Sequence, residues 1–246
     1  MPTLEQVQQE EELKRRLDWW HTQQPCFGVR KLRQLLREQD NLIVGRKRIK
    51  RLMNEMGFYA IYPKPRLSKP DKSHKLPYLL KNMNIFLPNQ VWAIDITYIP
   101  MNHGHMYLTA IIDWYSRVIV GFSLSDSLDT APVLEALSIA IEVYGIPGII
   151  NSDQGSQFTS EAYQDLLKKY GIRQSMDGKA RWVDNVIIER WFRSLKTEYI
   201  YITEYETPRE LRQGIHAYVN DYNRLRPHQS HDYATPEMIY AKAFVA

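Results

Sequence analysis

The sequence predicts a small all-α segment followed by an α/β domain built on a mixed sheet. Three observations predict it. Apolar residues recur at helical spacing through residues 1–59. Three runs rich in Ile, Val, Thr and Tyr then follow at 91–100, 106–114 and 117–124, with short breaks between them. From residue 130 to residue 175 helical and strand patterns alternate, the order that builds an α/β layer.

Residues 4–22 set Leu4, Val7, Leu13, Leu17 and Trp20 among charges, as an amphipathic helix does. Pro25-Cys26-Phe27-Gly28 breaks the pattern. Residues 29–39 place Val29, Leu32, Leu35 and Leu36 at helical spacing, and Asp40-Asn41 interrupts again. A third helix is expected over 45–56, with Ile49, Leu52, Met53 and Met56 on one face and Gly57 placed to cap it. Its other face holds Arg46, Lys47, Arg48, Lys50 and Arg51. Short helices with tight turns, the last one basic, suit a helix-turn-helix-like DNA binder whose contacts are mostly to phosphates. The alternative is a helical subdomain with a solvated basic face. Residues 60–88 carry Pro63, Pro65, Pro70, Pro77 and Pro88 together with Lys64, Arg66, Lys69, Lys72, Lys75 and Lys81. They are expected to form a stiff basic linker able to track a DNA backbone.

Residues 89–246 are expected to be the α/β domain with C-terminal helices. Asn102-His103-Gly104 and Tyr115-Ser116 separate the first three strands into a meander. A helix over 130–144 ends at Gly145-Ile146-Pro147-Gly148, and Ile149-Ile150 opens a short strand that ends at Asp153. Residues 160–170 are helical, Gly171 caps them, and 172–175 form a fifth strand.

Composition narrows the class. With 246 residues and 44% apolar residues the chain is globular, and no run approaches the roughly eighteen apolar residues of a membrane span. The N-terminus, with Glu10-Glu11-Glu12, does not resemble a secretory signal. The single cysteine, Cys26, excludes an internal disulfide and fits the cytoplasm. The net charge of +4 is uneven: residues 1–81 hold 18 Lys/Arg against 9 Asp/Glu, and residues 82–246 hold 14 against 19. A basic front points to a polyanion partner.

Three acids suggest a site for hard divalent metals, which prefer carboxylate oxygens. Asp95 lies mid-strand among apolar neighbours, where an unpaired carboxylate is costly. Asp153 closes the fourth strand, where a sheet presents groups to a crevice. Glu189 follows after thirty-five intervening residues on a helix that starts near Asp184-Asn185, with Arg193 and Lys196 four and seven residues on. Taken singly, Asp95 also fits a hydrogen-bonded buried aspartate, Asp153 a turn residue and Glu189 a surface acid. Asp113 ends an apolar strand too and is read as structural, pairing with Arg117 or capping the turn. Asp184 is read as an N-cap. The seven histidines show no ligand spacing, and His21 with Cys26 does not make a zinc site.

These residues carry a resemblance. Val91-Trp92-Ala93-Ile94-Asp95-Ile96-Thr97-Tyr98-Ile99-Pro100, Asn151-Ser152-Asp153-Gln154-Gly155-Ser156-Gln157-Phe158 and Asp184-Asn185-Val186-Ile187-Ile188-Glu189-Arg190 resemble the three acid motifs of the integrase-core transposases of the bacterial IS-three family, relatives of retroviral integrases. Tyr222-Asn223 and Arg226-Pro227-His228 resemble the family's C-terminal signature. Gly28-Val29-Arg30-Lys31-Leu32 and residues 46–53 resemble its upstream helix-turn-helix segment. The resemblance implies a ribonuclease-H-like core with a mixed five-stranded sheet. It also implies two Mg²⁺ or Mn²⁺ ions held by Asp95, Asp153 and Glu189, with DNA cleaved at element ends and the freed 3′-hydroxyl joined to another phosphate. Lys196 and Arg193 would contact DNA phosphate, and Asn185 would support the turn before the catalytic helix. The implied partners are the element's terminal inverted repeats, target DNA and further copies of the chain in a multimer on DNA. The implied place is the bacterial cytoplasm, at the nucleoid when DNA is bound.

Two departures stand out. Ala180-Arg181-Trp182-Val183 replaces the small, often Gly-containing stretch expected before Asp184-Asn185. Residues 1–22 show no sustained heptad, so the chain resembles the downstream-frame product alone, with the upstream-frame protein of the same element as a further partner. A non-catalytic DNA-binding regulator of the element is the alternative function, and a metal nuclease of the same fold is a third.

Overall fold

A computed structural model describes residues 3–61, 79–80, 83–176 and 185–244. The chain divides into two compact units. One is Met1–Leu67 with Lys196–Ile202, and the other is Ser68–Leu195 with Thr203–Ala246.

In the first unit α1 (Leu4–Gln23), α2 (Val29–Glu38) and α3 (Arg46–Glu55) enclose a core of Leu13, Leu17, Leu32, Leu36, Ile49 and Leu52. These are the apolar positions of the three helical repeats. Thr3 and Gln6 form a reciprocal capping box that fixes the start of α1. Gly57, at φ +73, ends α3 by a bond from Phe58 N to Met53 O of 3.1 Å. The turn after α2 is tied to α1 by Trp20 Nε1, which donates to Asp40 Oδ2 at 2.6 Å. Lys196–Ile200 forms a π-helical turn. Cys26 Sγ donates to Thr197 O at 2.9 Å, and Lys31 pairs with Glu198 at 2.9 Å, so residues 196–202 join the N-terminal helices. That grouping links residues far apart in the chain, and no local pattern signals it.

The second unit is built on a five-stranded sheet in the order β3-β2-β1-β4-β5. β1 (Val91–Pro100), β2 (His105–Asp113) and β3 (Ile119–Ser125) form the expected antiparallel meander, with a register shift at Ile111/Ile112. β4 (Ile149–Ser152) runs parallel to β1, and β5 (Arg173–Met176) runs parallel to β4. The helix α4 (Thr130–Tyr144) lies against β3 at backbone contact. A Cβ on Gly121 would meet Ala136 O at 2.5 Å and Ala140 Cβ at 2.8 Å, so glycine alone fits that seam. After β4 come α5 (Ser156–Thr159) and α6 (Glu161–Tyr170), and after β5 come α7 (Val186–Leu195), α8 (Pro208–Arg224) and α9 (Pro236–Lys242). Trp92, Ile94, Ile111, Leu137, Ile150 and Phe158 are central to the core.

Two polar residues lock this unit. Asp113 is fully buried at the end of β2. Its carboxylate accepts from Asn89 N at 2.8 Å and from Ser116 N and Oγ, each at 2.7 Å. It therefore caps the β2–β3 turn, and no Asp113–Arg117 ion pair forms among the described residues. Burial raises its pKa, and the three hydrogen bonds oppose that rise. Asn223 on α8 presents its amide to the edge strand β3: Ile119 N donates to Oδ1 at 2.9 Å, and Nδ2 donates to Ile119 O at 3.1 Å. It serves the open edge as a further strand would.

Replacing Asp113 by Ala leaves these buried donors without an acceptor. The expected loss is about 3 kcal/mol of unfolding free energy, since each orphaned buried group costs roughly 1–3 kcal/mol. Urea denaturation of the intact chain measures it.

Candidate active site

The register of β1 and β4 positions the first two acids. Their parallel pairing ends with Ala93 opposite Asn151. Asp95 and Asp153 each stand two residues beyond that pair, on neighbouring segments that run the same way. Side chains alternate along a strand, so Asp95 shares a face with Ala93. In the antiparallel register Ala110 faces Asp95 and Ile112 faces Ala93. Ile112 lines a cavity with Ile187 and Trp191 of α7, which identifies this as the face that α7 covers. Glu189 is carried by that helix.

The local bonding differs among the three. Asp95 is half-buried, and its Oδ1 accepts from Ile96 N at 2.8 Å. Asp153 is exposed, and its Oδ1 accepts from Gly155 N at 2.9 Å, so it is a turn residue as well as a strand-end acid. A Cβ at Gly155 would come within 3.1 Å of that Oδ1 and 3.0 Å of Gln157 Oε1. Glycine lets the backbone close on the carboxylate before α5 begins. Glu189 is exposed in the first turn of α7, beside buried Ile188, and its N–H donates to Asn185 O at 3.0 Å as the helix's opening bond. Asn185 is buried, and its Oδ1 has no partner among the described residues. Among those residues no group of three or more His, Cys, Asp or Glu side chains could hold a metal ion. The structure thus sets two aspartates at one level of the sheet and Glu189 on the exposed flank of the covering helix. Asp184 and Ala180-Arg181-Trp182-Val183 lie outside the described residues.

The expected basic residues divide into two groups. Arg46, Lys47, Arg48, Lys50 and Arg51 are all exposed on α3. Arg51 pairs with Glu10 and with Glu55, each at 2.6 Å, and Arg48 reaches Glu10 at 3.6 Å. These bonds raise the pKa of Arg51, through Glu10 first and then Glu55, and Arg51 in turn lowers that of Glu10. Arg46, Lys47 and Lys50 form no ion pair among the described residues. Arg193 is exposed on α7, four residues after Glu189. Lys196, half-buried, opens the π-helical turn that belongs to the first unit. Sequence reasoning assigned no task to Asn223 beyond its motif, and the signal that pointed to it was Tyr222-Asn223 itself.

Gly155→Val overpacks the turn and displaces the Asp153 carboxylate. The expected cost is about 1–3 kcal/mol, read by urea denaturation, with the displaced side chain visible in a crystal structure of the variant.

Comparison with known proteins agrees with this architecture. A family described as an integrase core domain matches residues 87–181, a second integrase core domain model matches 170–236, and an HTH-like domain matches 8–66. The chain is 32% identical over 243 residues to the transposase for insertion sequence element IS904 of Lactococcus lactis, covering 96% of each chain. It is 35% identical over 158 residues to transposase InsF for insertion sequence IS3A of Escherichia coli, a match that spans 63% of this chain and 55% of that relative. Among solved structures, the HTLV-2 integrase catalytic core domain in complex with magnesium superposes with a TM-score of 0.53 at 22% identity, over 63% of this chain and 97% of that one. A chain of the simian T-cell lymphotropic virus intasome in complex with PP2A regulatory subunit B56 gamma gives 0.55 at 18%, over 91% of this chain and 74% of that one. No described helix is long and apolar enough to cross a membrane. The chain belongs to the IS3-family insertion-sequence transposases, with a ribonuclease-H-like integrase core preceded by a helix-turn-helix-like region.

Proposed function

We propose that the protein is a DNA transposase that cleaves the ends of its own insertion sequence and joins the freed 3′-hydroxyl to a phosphate of target DNA. The observation that carries this reading is the placement of Asp95 and Asp153, each two residues past the last β1–β4 pair, with Asp95 on the face covered by the helix that carries Glu189. Carboxylate oxygens are the donors that Mg²⁺ and Mn²⁺ prefer, and gathering these three around an ion requires the Glu189 side chain to close on the two aspartates. Asp95, Asp153 and Glu189 would hold two such ions, which when bound stabilise the attacking and leaving oxygens of an in-line displacement. Asp95 supplies its carboxylate from a rigid central strand, so its position is set by the sheet. Asp153 is oriented by the Gly155 amide. Asn185 anchors the first turn of the helix that presents Glu189.

Arg46, Lys47, Arg48, Lys50 and Arg51, with Arg193 and Lys196, contact phosphates of the terminal repeats and target. Arg48 and Arg51 exchange their acidic partners for phosphate. Exposed ion pairs are weak, so this exchange is accessible. Two ends must be held together, so the working form is a multimer on DNA in the bacterial cytoplasm, at the nucleoid, with the upstream-frame protein as a further partner. The domain limits that suit this reading are a helical DNA-binding segment over 1–59, a basic linker over 60–88 and the catalytic core over 89–246.

A strand-transfer assay on the element's own ends with Mg²⁺ tests the proposal. Asp95→Asn, Asp153→Asn and Glu189→Gln are each expected to reduce joining to background while duplex affinity stays at the wild-type value. Retained joining in a variant removes that residue from the site. A wild-type chain that binds ends yet neither cleaves nor joins them is a regulator, and one that only hydrolyses DNA is a nuclease.

Binding isotherms across salt concentrations test the helical segment. Arg46→Gln, Lys47→Gln or Lys50→Gln is expected to lower the slope of log K against log salt by about 0.9, the value for one phosphate contact. Glu10→Gln frees Arg48 and Arg51 and is expected to tighten binding.

A further inference from the structure

A cavity of about 190 Å³ lies within the second unit, on the flank of α7 turned away from Glu189. At 3.6 residues per turn, Ile187, Arg190, Trp191 and Ser194 share one side of α7, while Glu189 and Arg193 lie on the other. The cavity is lined by Arg117, Arg190 and Arg226, with His228, Trp191 and Ser194 among its other walls. No acidic side chain lines it among the described residues. Its volume is more than ten times the roughly 10–15 Å³ that a single water needs on the same measure, which leaves room for a tetrahedral oxyanion.

The lining is rich in donors that protein acceptors do not satisfy. Arg117 Nη1 and Trp191 Nε1 are buried without a hydrogen-bond partner among the described residues, and the Trp191 side chain is only 1% exposed. A buried donor left unmade is costly, so each is a reason for an acceptor to enter. Arg117 sits at φ +70, a left-handed conformation that a non-glycine residue adopts only when its surroundings hold it there. Arg226 is held in place over the Tyr222 ring, 5.4 Å from its centroid. Its guanidinium donates weakly to Ser194 Oγ and to His228 Nε2, both at 3.4 Å. Arg190 is exposed at the mouth and forms no ion pair among the described residues.

Asp113 is a compensating carboxylate for Arg117. Its oxygens are already engaged by Asn89 and Ser116, and burial raises its pKa. It supports Arg117 electrostatically, whereas Arg190 opposes Arg117. Burial and then the Arg117 charge lower the pKa of neighbouring His231. Three guanidinium groups thus line one cavity, two of them, Arg117 and Arg190, without an ion pair among the described residues, and guanidinium is the group best matched to phosphate oxygens.

We propose that this cavity is an anion subsite that takes one backbone phosphate of DNA, other than the reacting phosphate, through Arg117, Arg190 and Arg226. It gives the Arg226-Pro227-His228 motif and its Tyr222 neighbour a task that the carboxylate site does not. The proposal rests on the DNA-transposase reading for the identity of the ligand, and on the cavity alone for its anionic nature.

The test has two arms, each on the full chain. In the first, inorganic phosphate is titrated against chloride of equal ionic strength while thermal unfolding is followed. Phosphate is expected to raise the Tm of the wild type. The rise should shrink in Arg190→Gln, whose exposed site keeps the fold intact, and disappear in Arg117→Met. An equal phosphate response in wild type and Arg190→Gln overturns the subsite. In the second arm, the salt dependence of duplex DNA binding is measured. Arg190→Gln is expected to lower the slope of log K against log salt by about 0.9. An unchanged slope together with a lost phosphate response assigns the cavity to a free phosphate-bearing small molecule and overturns the DNA assignment. A wild-type chain that binds no DNA sinks the transposase reading instead, and the phosphate arm still decides whether the cavity is an anion site.

Discussion

Asn89 is the point on which the second unit is assembled. Its amide N–H donates to Asp113, and its side chain donates to Tyr144 O at 2.7 Å and to Tyr240 Oη at 2.9 Å. Its Oδ1 accepts from Trp92 Nε1 at 3.0 Å, and its carbonyl accepts from Gly148 N at 2.9 Å. One residue, at φ +61, thereby binds the start of β1, the turn after β2, the end of α4, the entry to β4 and the C-terminal helix α9. Asparagine suits this because it tolerates the left-handed region and carries both a donor and an acceptor. The level at which β4 begins relative to β1 follows from the Gly148 and Ile149 amides bonding to Asn89 and Gln90. The positions of Asp95 and Asp153 follow from that level.

Much of this was legible in the sequence because the signals were local. The three helices of the first unit, the meander, α4, β4, α6 and β5 all stand close to where apolar period and glycine placement put them. Asp113 was read as structural, and its turn-capping role was within reach because Ser116 lies three residues on. The hub role of Asn89 was not legible, since four of its five bonds reach residues 24 to 151 positions away or depend on backbone that only the finished sheet supplies. The arginine cavity was hidden for the same reason. Arg117, Arg190 and Arg226 come from a turn, a helix and a C-terminal segment that only tertiary folding gathers. Even the candidate acids showed this divide. Their types and spacing were visible, whereas the strand register that relates two of them is a long-range property.

The helix α7 carries an acid and two arginines in ten residues. Buried Ile188, Trp191, Phe192 and Leu195 fix it on the sheet. That anchoring leaves Glu189 on one flank and Arg190 on another, so adjacent residues in sequence serve different surroundings. A helix held this firmly can carry both only because its period separates neighbours by about 100°.

The acidic residues beside α3 bear on how any polyanion complex is to be counted. Arg48 and Arg51 are already neutralised by Glu10 and Glu55 before a phosphate arrives. Swapping one anion for another displaces fewer condensed counterions than neutralising a phosphate with a previously free cation. The ionic-strength dependence of binding would therefore under-report the number of arginines at the contact. A footprint inferred from that dependence alone would look smaller than the surface that touches the nucleic acid.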